Sequence, residues 1–295
     1  MLDVRRLRVL RELAARGTIA ATAEALGYTP PAVSQQLAAL EREVGVALLE
    51  KNGRRRRLTP AGEELVSRTE GILRELEAAE AALEATTTQV AGVLRCAAFP
   101  SAHRALLPRA IAALASRHPD LGVITEDLEP EDSLPALKLG ELDLVLAQEY
   151  AFSPNPPDPA LERTELLDDP LRLALPESHP LAAAERIDIA ALDAEPWIAG
   201  REGTFCHLVV IHSTRAAGYE PRVAHITNDF DVEYALIQAG AGVGLVPELA
   251  GPPPVGVAVK PVSGAPPSRR IYAAVRAGSS ARPAVAAMLA TLTER

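Results

Sequence analysis

Residues 28–41 read YTPPAVSQQLAALE, and two prolines stand near the start of a run that otherwise favours a helix. Thr29 is a suitable N-cap, which puts Pro30 and Pro31 in the first helical turn. Proline is tolerated there because the backbone amides of that turn have no acceptor within the helix. The stretch therefore predicts a helix that begins at Pro30 with a stiff first turn.

The two faces of this helix differ in chemistry. At about 100° per residue, one stripe is apolar and consists of Val33, Leu37, Leu40 and Val44. The opposite face is small and polar: Pro31, Ala32, Gln35, Ala38, Ala39 and Arg42, with Ser34 and Gln36 at its margins. A solvated helix face without a binding role has the same composition, so the segments on either side decide between the two interpretations.

Those segments favour a DNA-binding motif. Leucines and valines at helical spacing predict a first helix that ends near Gly17, and Thr18 can cap a second helix, IAATAEAL, which Gly27 ends. Two short helices joined by a tight glycine turn indicate a helix-turn-helix over about residues 18–37. In that motif the second helix enters the major groove, where glutamine can pair with an adenine edge.

The segment NGRRRRLTPAG, residues 52–62, predicts a β-wing after the third helix. Asn52-Gly53 is a strong hairpin signal, and the four arginines Arg54 to Arg57 follow it without interruption. Such a run is often only solvated. Beside a helix-turn-helix, however, it suits contact with phosphates or with the minor groove.

Charge is distributed unevenly along the 295 residues. The net charge of −9, taken alone, argues against a nucleic-acid binder. Residues 1–58 nevertheless hold 11 Lys and Arg against 6 Asp and Glu, whereas the remainder holds 19 against 33. A basic head on an acidic body is expected when only one end of a protein meets a polyanion.

Residues 21–62, ATAEALGYTPPAVSQQLAALEREVGVALLEKNGRRRRLTPAG, resemble the N-terminal region of LysR-type transcriptional regulators. The departures are small, since Ile19 and Leu49 replace frequent phenylalanines and remain apolar. The resemblance implies base and backbone contacts from the third helix and the wing: Pro30, Pro31, Ser34, Gln35, Gln36, Arg54 and Arg55. We add the capping residue Thr29 to these candidate contacts.

Residues 59–91 predict a long linker helix that begins, like the third helix, with a threonine cap and a proline. The heptad a positions are Gly62, Thr69, Leu76, Leu83 and Val90, and the d positions are Leu65, Ile72, Ala79 and Thr86. These layers indicate a dimerising coiled coil, with a helix packed on its own chain as the alternative. The resemblance implies a homodimer through this helix and a homotetramer, with RNA polymerase as a further partner.

From residue 92 to 295, strand-like and amphipathic helical segments alternate, which predicts an α/β effector domain. A crossing near Leu161 and a return near Pro266 give lobe I at 92–160 and 266–295 and lobe II at 161–265. The resemblance extends here and implies two Rossmann-like lobes of the type 2 periplasmic-binding-protein kind. The predicted fold class is thus multidomain: an all-α winged helix-turn-helix head at 1–58, the linker helix and the α/β effector domain.

Such lobes bind a small molecule where strand ends meet helix N-termini. Four segments should converge there, and they supply the candidate effector contacts: Phe99, Pro100, Ser101, Ala102, Glu149, Arg201, Thr204, Asn228 and Asp229. Ser101 and Thr204 begin helices, so their hydroxyls suit a carboxylate, with helix capping as the equal alternative. Arg201 suits an anion, whereas Glu149 and Asp229 suit an amine or hydroxyls. We therefore expect an effector of both signs, such as an amino acid.

Three other patterns carry no function in our interpretation. GAGVGLVP at 240–247 contains closely spaced glycines, but they follow a helix and precede a strand, the reverse of a dinucleotide-binding loop. Cys206 lies one residue from the reactive position of peroxide-sensing members of the resembled family, so thiol-based redox sensing is a minor alternative. No metal-ligand spacing surrounds Cys206, His207 and His212, and no nucleophile–base–acid motif is recognisable.

The sequence thus predicts a transcriptional regulator rather than an enzyme. It would bind double-stranded operator DNA and respond to a small-molecule co-inducer or co-repressor, with no other cofactor and no metal. A small-molecule-binding protein without DNA activity is the alternative, which the basic head opposes. With two cysteines, no signal-peptide pattern and no apolar run of the ~20 residues that cross a bilayer, we expect a cytoplasmic protein that contacts no membrane.

Overall fold

The computed structural model describes residues 2–52, 55–86 and 89–294. They form two compact units. The first comprises the chain up to Thr86 together with Arg276–Arg282, and the second comprises the rest of the chain.

The first unit begins with three helices, α1 (Val4–Arg16), α2 (Ile19–Ala25) and α3 (Pro30–Val44). Each follows a side-chain cap, and the capping residues are Asp3, Thr18 and Thr29. Gly17 and Gly45 end α1 and α3 at φ 71° and 73°, a left-handed conformation that glycine adopts without strain. Apolar side chains from the three helices and the following loop form one core: Leu7, Leu10, Leu13, Val33, Leu37, Leu40 and Leu48.

An antiparallel hairpin follows, β1 (Leu49–Asn52) and β2 (Arg55–Leu58), and it forms the predicted wing. Helix α4 (Pro60–Glu84) then begins at Thr59, whose Oγ1 accepts from the Gly62 N–H and donates to the Ala47 carbonyl oxygen. Gly62 permits this close approach, because a Cβ there would lie 2.3 Å from the Leu48 carbonyl oxygen.

Helix α4 is shorter than the predicted linker of residues 59–91. It ends at Glu84, so Thr86 and Val90 of the predicted heptads lie beyond it. Val90 instead packs against a core of the second unit. The threonine run at 86–88 explains the early end, since β-branched residues lose side-chain freedom in a helix.

The apolar positions of α4 divide between its own chain and solvent. The residues it buries are Gly62, Thr69, Leu73 and Ala81. Leu73 and Ala81 do not belong to the predicted a and d positions, whereas Ile72 and Leu83 of that set are 37% and 71% exposed. Part of the predicted seam is therefore open on a single chain, as pairing with a second helix requires.

The second unit is an α/β domain. Its strands form one large sheet and one separate two-stranded sheet. Its strands are β3 (Gly92–Ala98), β4 (Leu121–Asp127), β5 (Leu144–Tyr150), β6 (Leu161–Pro176), β7 (Pro196–Ala199), β8 (Arg222–Ile226), β9 (Gly244–Pro247), β10 (Val257–Lys260) and β11 (Ser268–Arg276), the last residue of which belongs to the first unit. Its helices are α5 (Pro100–Arg117), α6 (Pro130–Leu139), α7 (Phe205–Ala216), α8 (Phe230–Gln238) and α9 (Pro283–Thr293). The sheet order is β10-β6-β11-β5-β3-β4, with β9 on β6, and β7 pairs with β8.

Separate cores divide this domain into two lobes, as predicted. Lobe I packs α5 and α9 around buried side chains such as Leu146 and Ile271, and lobe II surrounds Trp197. The chain crosses between them within β6, a 16-residue strand, because Leu166 lies against the lobe I core and Leu173 is buried in lobe II. The crossing is therefore inside the strand and not at its start near Leu161. Across the described ranges, no helix is long and apolar enough to span a membrane.

Candidate DNA-binding surface and effector cleft

Helix α3 separates its two faces as predicted. Val33, Leu37 and Leu40 are at most 3% exposed and fix the helix in its domain. The candidate DNA contacts at its start are exposed: Thr29, Pro30, Pro31, Ser34 and Gln35. The N-terminal part of α3 therefore presents Ser34 and Gln35 to solvent, next to the exposed cap residue Thr29.

The two glutamines of α3 have different surroundings. Gln36 Oε1 accepts from Arg6 Nε at 3.3 Å, and Arg6 also pairs with Glu43 at 3.0 Å, so Gln36 connects α3 to α1. The Gln35 side chain is exposed and makes no hydrogen bond to another described residue. Ser34 Oγ donates to the Pro30 carbonyl oxygen at 3.0 Å. Of the two glutamines, Gln35 is thus the more exposed, and Gln36 is the one held by α1.

The wing is attached to α3 by a carboxylate that the sequence did not single out. Glu41 Oε1 accepts from the backbone N–H groups of Leu48 and Leu49 at 2.9 and 3.1 Å, where the chain enters β1. A lone glutamate near a helix end carries no sequence signature for this role. Arg56 and Arg57 of β2 are exposed. Arg55 belongs to β2, and the predicted contact Arg54 lies outside the described residues.

The effector domain contains a hydrogen-bond network around the buried guanidinium of Arg269. Arg269 of β11 is 1% exposed, and its Nε and Nη2 donate to Asp169 Oδ2 at 2.9 and 2.7 Å. Its Nη1 donates to Gln148 Oε1 at 2.7 Å, and Nη2 also donates to Ser101 Oγ at 2.8 Å. The guanidinium carbon lies 4.9 Å from the centroid of the Phe99 ring. The network joins α5, β5, β6 and β11 at one point.

Of the predicted effector contacts around the start of α5, Ser101 and Phe99 lie in this network, whereas Pro100 does not. Ser101 and Phe99 both contact Arg269, and Ala102 is fully buried beside them. Pro100 begins α5 and is exposed. Because Ser101 is bound by Arg269 and α5 has no side-chain cap, helix capping does not explain this serine.

Glu149 lies apart from the Arg269 network, and its assignment as an effector contact stays a prediction. Neighbouring residues of a strand point to opposite faces, so Glu149 faces away from the network that Gln148 enters. Its Oε2 accepts from the Asn155 backbone N–H at 3.1 Å and from Arg163 Nη1 at 3.3 Å. The sequence located this strand end, but the one-residue alternation decided which side chain reaches the cleft.

The predicted lobe II residues form a connected rim. Asn228 Oδ1 accepts from the Arg201 backbone N–H at 2.8 Å, and Thr204 Oγ1 donates to the Arg201 carbonyl oxygen at 2.7 Å. The Arg201 side chain is exposed. Asp229 Oδ1 caps α8 by accepting from the backbone N–H groups of residues 231 and 232 at 2.8 and 3.3 Å. Thr204 and Asp229 therefore also serve local turns.

Polar contacts join the two lobes across the cleft. Asn228 Nδ2 in lobe II donates to Glu129 Oε1 in lobe I at 3.4 Å. Arg104 of α5 donates from Nη1 to both carboxylate oxygens of Asp231 in α8 at 2.9 and 3.0 Å. Residues from both lobes thus contact each other at the cleft that the sequence predicts to be the effector site.

Several titratable groups near the cleft are buried or half-buried, and sequence reasoning missed the carboxyls among them. Burial, followed by the nearby charge of Glu131, raises the pKa of Glu129 to about 7, against an opposing effect of Arg269. Burial alone raises the pKa of Glu233 well above its ordinary value. Burial also raises the pKa of the Cys206 thiol to about 12. Within the described part of the chain, no group of three potential metal ligands occurs.

Comparison with known proteins agrees with this architecture. Residues 4–63 match the family model of bacterial regulatory helix-turn-helix proteins of the lysR family, and residues 87–295 match that of the LysR substrate binding domain. A probable hydrogen peroxide-inducible genes activator of Mycobacterium avium is 30% identical over 249 residues, which cover 83% of this chain and 78% of the relative. The Hca operon transcriptional activator HcaR of Escherichia coli is 28% identical over 298 residues, covering 100% and 98%.

Solved structures share the fold along the whole chain. A full-length OxyR variant from Pseudomonas aeruginosa has a TM-score of 0.70 at 22% identity, covering 100% of this chain and 95% of that one. CbnR in complex with its target DNA has a TM-score of 0.57 at 24% identity, covering 99% of each chain. Since the family models match both the DNA-binding head and the α/β domain, the chain belongs to the LysR family of bacterial transcriptional regulators.

Proposed function

We propose that this regulator binds operator DNA through α3 and the wing, and that a small molecule in the cleft between the lobes modulates this binding. The observation that carries the proposal is the division of α3 into a buried apolar stripe and an exposed face with Gln35. The exposed Arg56 and Arg57 of the wing add positive charge suited to phosphates. CbnR, which shares the fold, has been solved with its target DNA.

Modulation by an effector requires two arrangements that bind it differently. The pairs Arg104–Asp231 and Glu129–Asn228 lie where the lobes meet, so a ligand that reorganises them shifts the population of lobe arrangements. Exposed Ile72 and Leu83 on α4 supply a surface for a homodimer, which presents two copies of α3 to successive half-sites. Two such dimers would give a homotetramer, and RNA polymerase would be a partner at the promoter. The cytoplasm is the compartment that a bacterial DNA-binding protein needs.

A second candidate is a thiol switch at Cys206, because one relative is named a probable hydrogen peroxide-inducible genes activator. Burial opposes it, since the reactive species is the thiolate and the pKa of Cys206 is raised to about 12. The other cysteine, Cys96, is 1% exposed and its pKa is also raised to about 12. Treatment with hydrogen peroxide should therefore leave operator affinity unchanged. A loss or gain that Cys206→Ser abolishes would establish the switch instead.

The proposed function is tested by finding the operator and measuring its affinity. Genome-wide mapping of binding sites supplies the DNA, and fluorescence anisotropy of the full-length protein supplies the affinity. For ~6–10 phosphate contacts, binding should weaken by about 10³–10⁵ between 50 and 200 mM salt. An affinity that is independent of salt, or that is equal for operator and scrambled DNA, would contradict the proposal.

A further inference from the structure

The short segment that joins β11 to α9 belongs to the first unit, although the elements on either side of it continue into the second. This segment, Arg276–Arg282, is grouped with the head and the linker helix α4. We call it the strap. The chain therefore passes between the two units at three places, which are the end of the linker after Thr86 and the two ends of the strap. The strap thus brings a piece of the effector-domain sequence into the unit that contains α4.

Two ion pairs hold the ends of the strap on α4. Arg276 Nε donates to Glu77 Oε1 at 2.9 Å, and the two side chains are 10% and 19% exposed. Arg282 donates from Nε to Glu84 Oε2 at 3.0 Å and from Nη2 to Glu84 Oε1 at 2.9 Å. A guanidinium that binds both oxygens of one carboxylate fixes orientation as well as distance. The strap is therefore attached to α4 in a defined register.

The middle of the strap lies directly against the α4 backbone. Gly278 has a φ of 91°, and a Cβ on it would lie 2.5 Å from the Arg74 carbonyl oxygen and 3.0 Å from the Ala78 nitrogen. Glycine is the residue that permits both this conformation and this approach. Ser279 is fully buried, and its Oγ donates to the Arg276 carbonyl oxygen at 2.7 Å, which closes the turn. The strap is thus packed against the helix along its length.

The strap and the open seam occupy opposite faces of α4. Glu77, Ala81 and Glu84 recur at helical spacing, so they share one face, and Ala81 is fully buried. At about 100° per residue, the exposed Ile72 and Leu83 lie on the other side of the helix. One helix can therefore hold the strap of its own chain and pair with a second copy at the same time.

We propose that the strap couples the effector domain to the linker helix, so that a rearrangement of the lobes moves α4 and with it the DNA-binding head. β11 carries Arg269 of the cleft network and ends at Arg276 of the strap. After the strap, α9 packs Val285 and Met288 into the lobe I core. Contiguous packed elements of this kind carry energetic coupling between sites. The inference rests on the proposed function for its signal, which is the effector, whereas the coupling itself is measured without ligand or DNA.

The test is hydrogen–deuterium exchange of the full-length protein, followed by mass spectrometry in the element that does not carry the substitution. Glu77→Gln keeps the size of the side chain and removes the charge that pairs with the buried Arg276. We expect amide exchange in α9 to become at least about tenfold faster, the effect of losing a charge-assisted hydrogen bond. Exchange in α9 that stays at the wild-type rate would overturn the proposal.

A charge exchange at the other end of the strap keeps the test decisive if Glu77→Gln does not fold. Glu84→Arg should speed exchange in α9, and Arg282→Glu should speed exchange in α4, each at least about threefold because this pair is half-exposed. Glu84→Arg combined with Arg282→Glu restores opposite charges and should return both helices to slow exchange. Effects confined to the element that carries the substitution, or effects that the double variant does not reverse, would contradict the coupling.

The matched control is Glu64→Arg, which removes an exposed ion pair with Arg68 on the same helix, away from the strap. It should leave exchange in α9 at the wild-type rate, and an equal acceleration would overturn the assignment by showing a general loosening of α4. Operator affinity of the same variants is measured separately. Absence of operator binding would refute the proposed function, whereas the exchange rates alone decide on the strap.

Discussion

The DNA-binding surface and the effector cleft place their polar groups in opposite environments. On α3 the apolar stripe is buried and Gln35 is exposed, so the side chain proposed to read bases lies outside the packed core. In the cleft, Arg269 and Asp169 are each 1% exposed and belong to the core itself. Function and stability are therefore separable in the head and inseparable in the cleft. Substitutions in the two regions should differ accordingly.

The largest effect is expected from Asp169→Ala. This change leaves the buried Arg269 without its charged partner, which costs about 3–5 kcal/mol of the free energy of unfolding of the effector domain. Urea unfolding followed by the fluorescence of Trp197, the single tryptophan of the chain and fully buried in lobe II, measures this loss. The matched control is Glu248→Ala, which removes an ion pair with Arg172 whose side chains are 38% and 47% exposed. It should cost at most about 1 kcal/mol, and equal losses would contradict the comparison.

The next effect is a pH dependence of stability in the same domain. The pKa of Glu129 is raised to about 7 from 4.5, so the folded state holds this proton more tightly than the unfolded state does. The resulting stability is fully present below pH 4.5 and is lost as pH rises through about 7, by roughly 3 kcal/mol. Glu129→Gln should remove this part of the slope. Identical pH profiles of the wild type and the variant, from urea unfolding between pH 5 and 8, would count against the buried carboxyl.

In the head, Arg56→Ala combined with Arg57→Ala should weaken binding to all DNA sequences alike and leave stability nearly unchanged, because both side chains are exposed. If each arginine neutralises one phosphate, the slope of log affinity against log salt falls by about 1.8 in magnitude for each wing bound, which is about 3.6 for the proposed dimer. Arg68→Ala, an exposed arginine of α4 paired with Glu64, is the control and should leave the slope unchanged. Anisotropy titrations at several salt concentrations decide this, and a loss confined to the operator would refute a phosphate role.

The accuracy of the predictions made from the sequence also differs between the head and the cleft. The start of α3, its stripe and the wing depend on signals within a few residues: Thr29, the two prolines and the Asn-Gly turn. The end of α4 was predicted less accurately, because the predicted heptads continued to Thr86 and Val90, which lie beyond the helix. Local propensity and periodicity were sufficient to predict the buried and exposed faces of this single helix.

The cleft depends on long-range contacts that local patterns do not contain. Ser101 and Arg269 are 168 residues apart in the chain, yet Nη2 of the arginine lies 2.8 Å from the serine Oγ. Asp169 and Arg269 each stand among other charged residues of their strands, so nothing in the sequence singled out or paired these two. The sequence could not tell that Gln148 rather than Glu149 contacts Arg269, because that depends on which face of β5 is turned to the arginine.

The smallest change in overall affinity, and the most direct test of the central claim that α3 reads the operator, is expected from Gln35→Ala. Selection of bound DNA from a random library should be performed in parallel with the wild type, Gln35→Ala and Gln36→Ala, whose native side chain contacts Arg6. We predict that Gln35→Ala relaxes the preference at one base position of each half-site, worth about 1–3 kcal/mol of discrimination there, while affinity for other positions is kept. An unchanged sequence preference in Gln35→Ala would contradict the account.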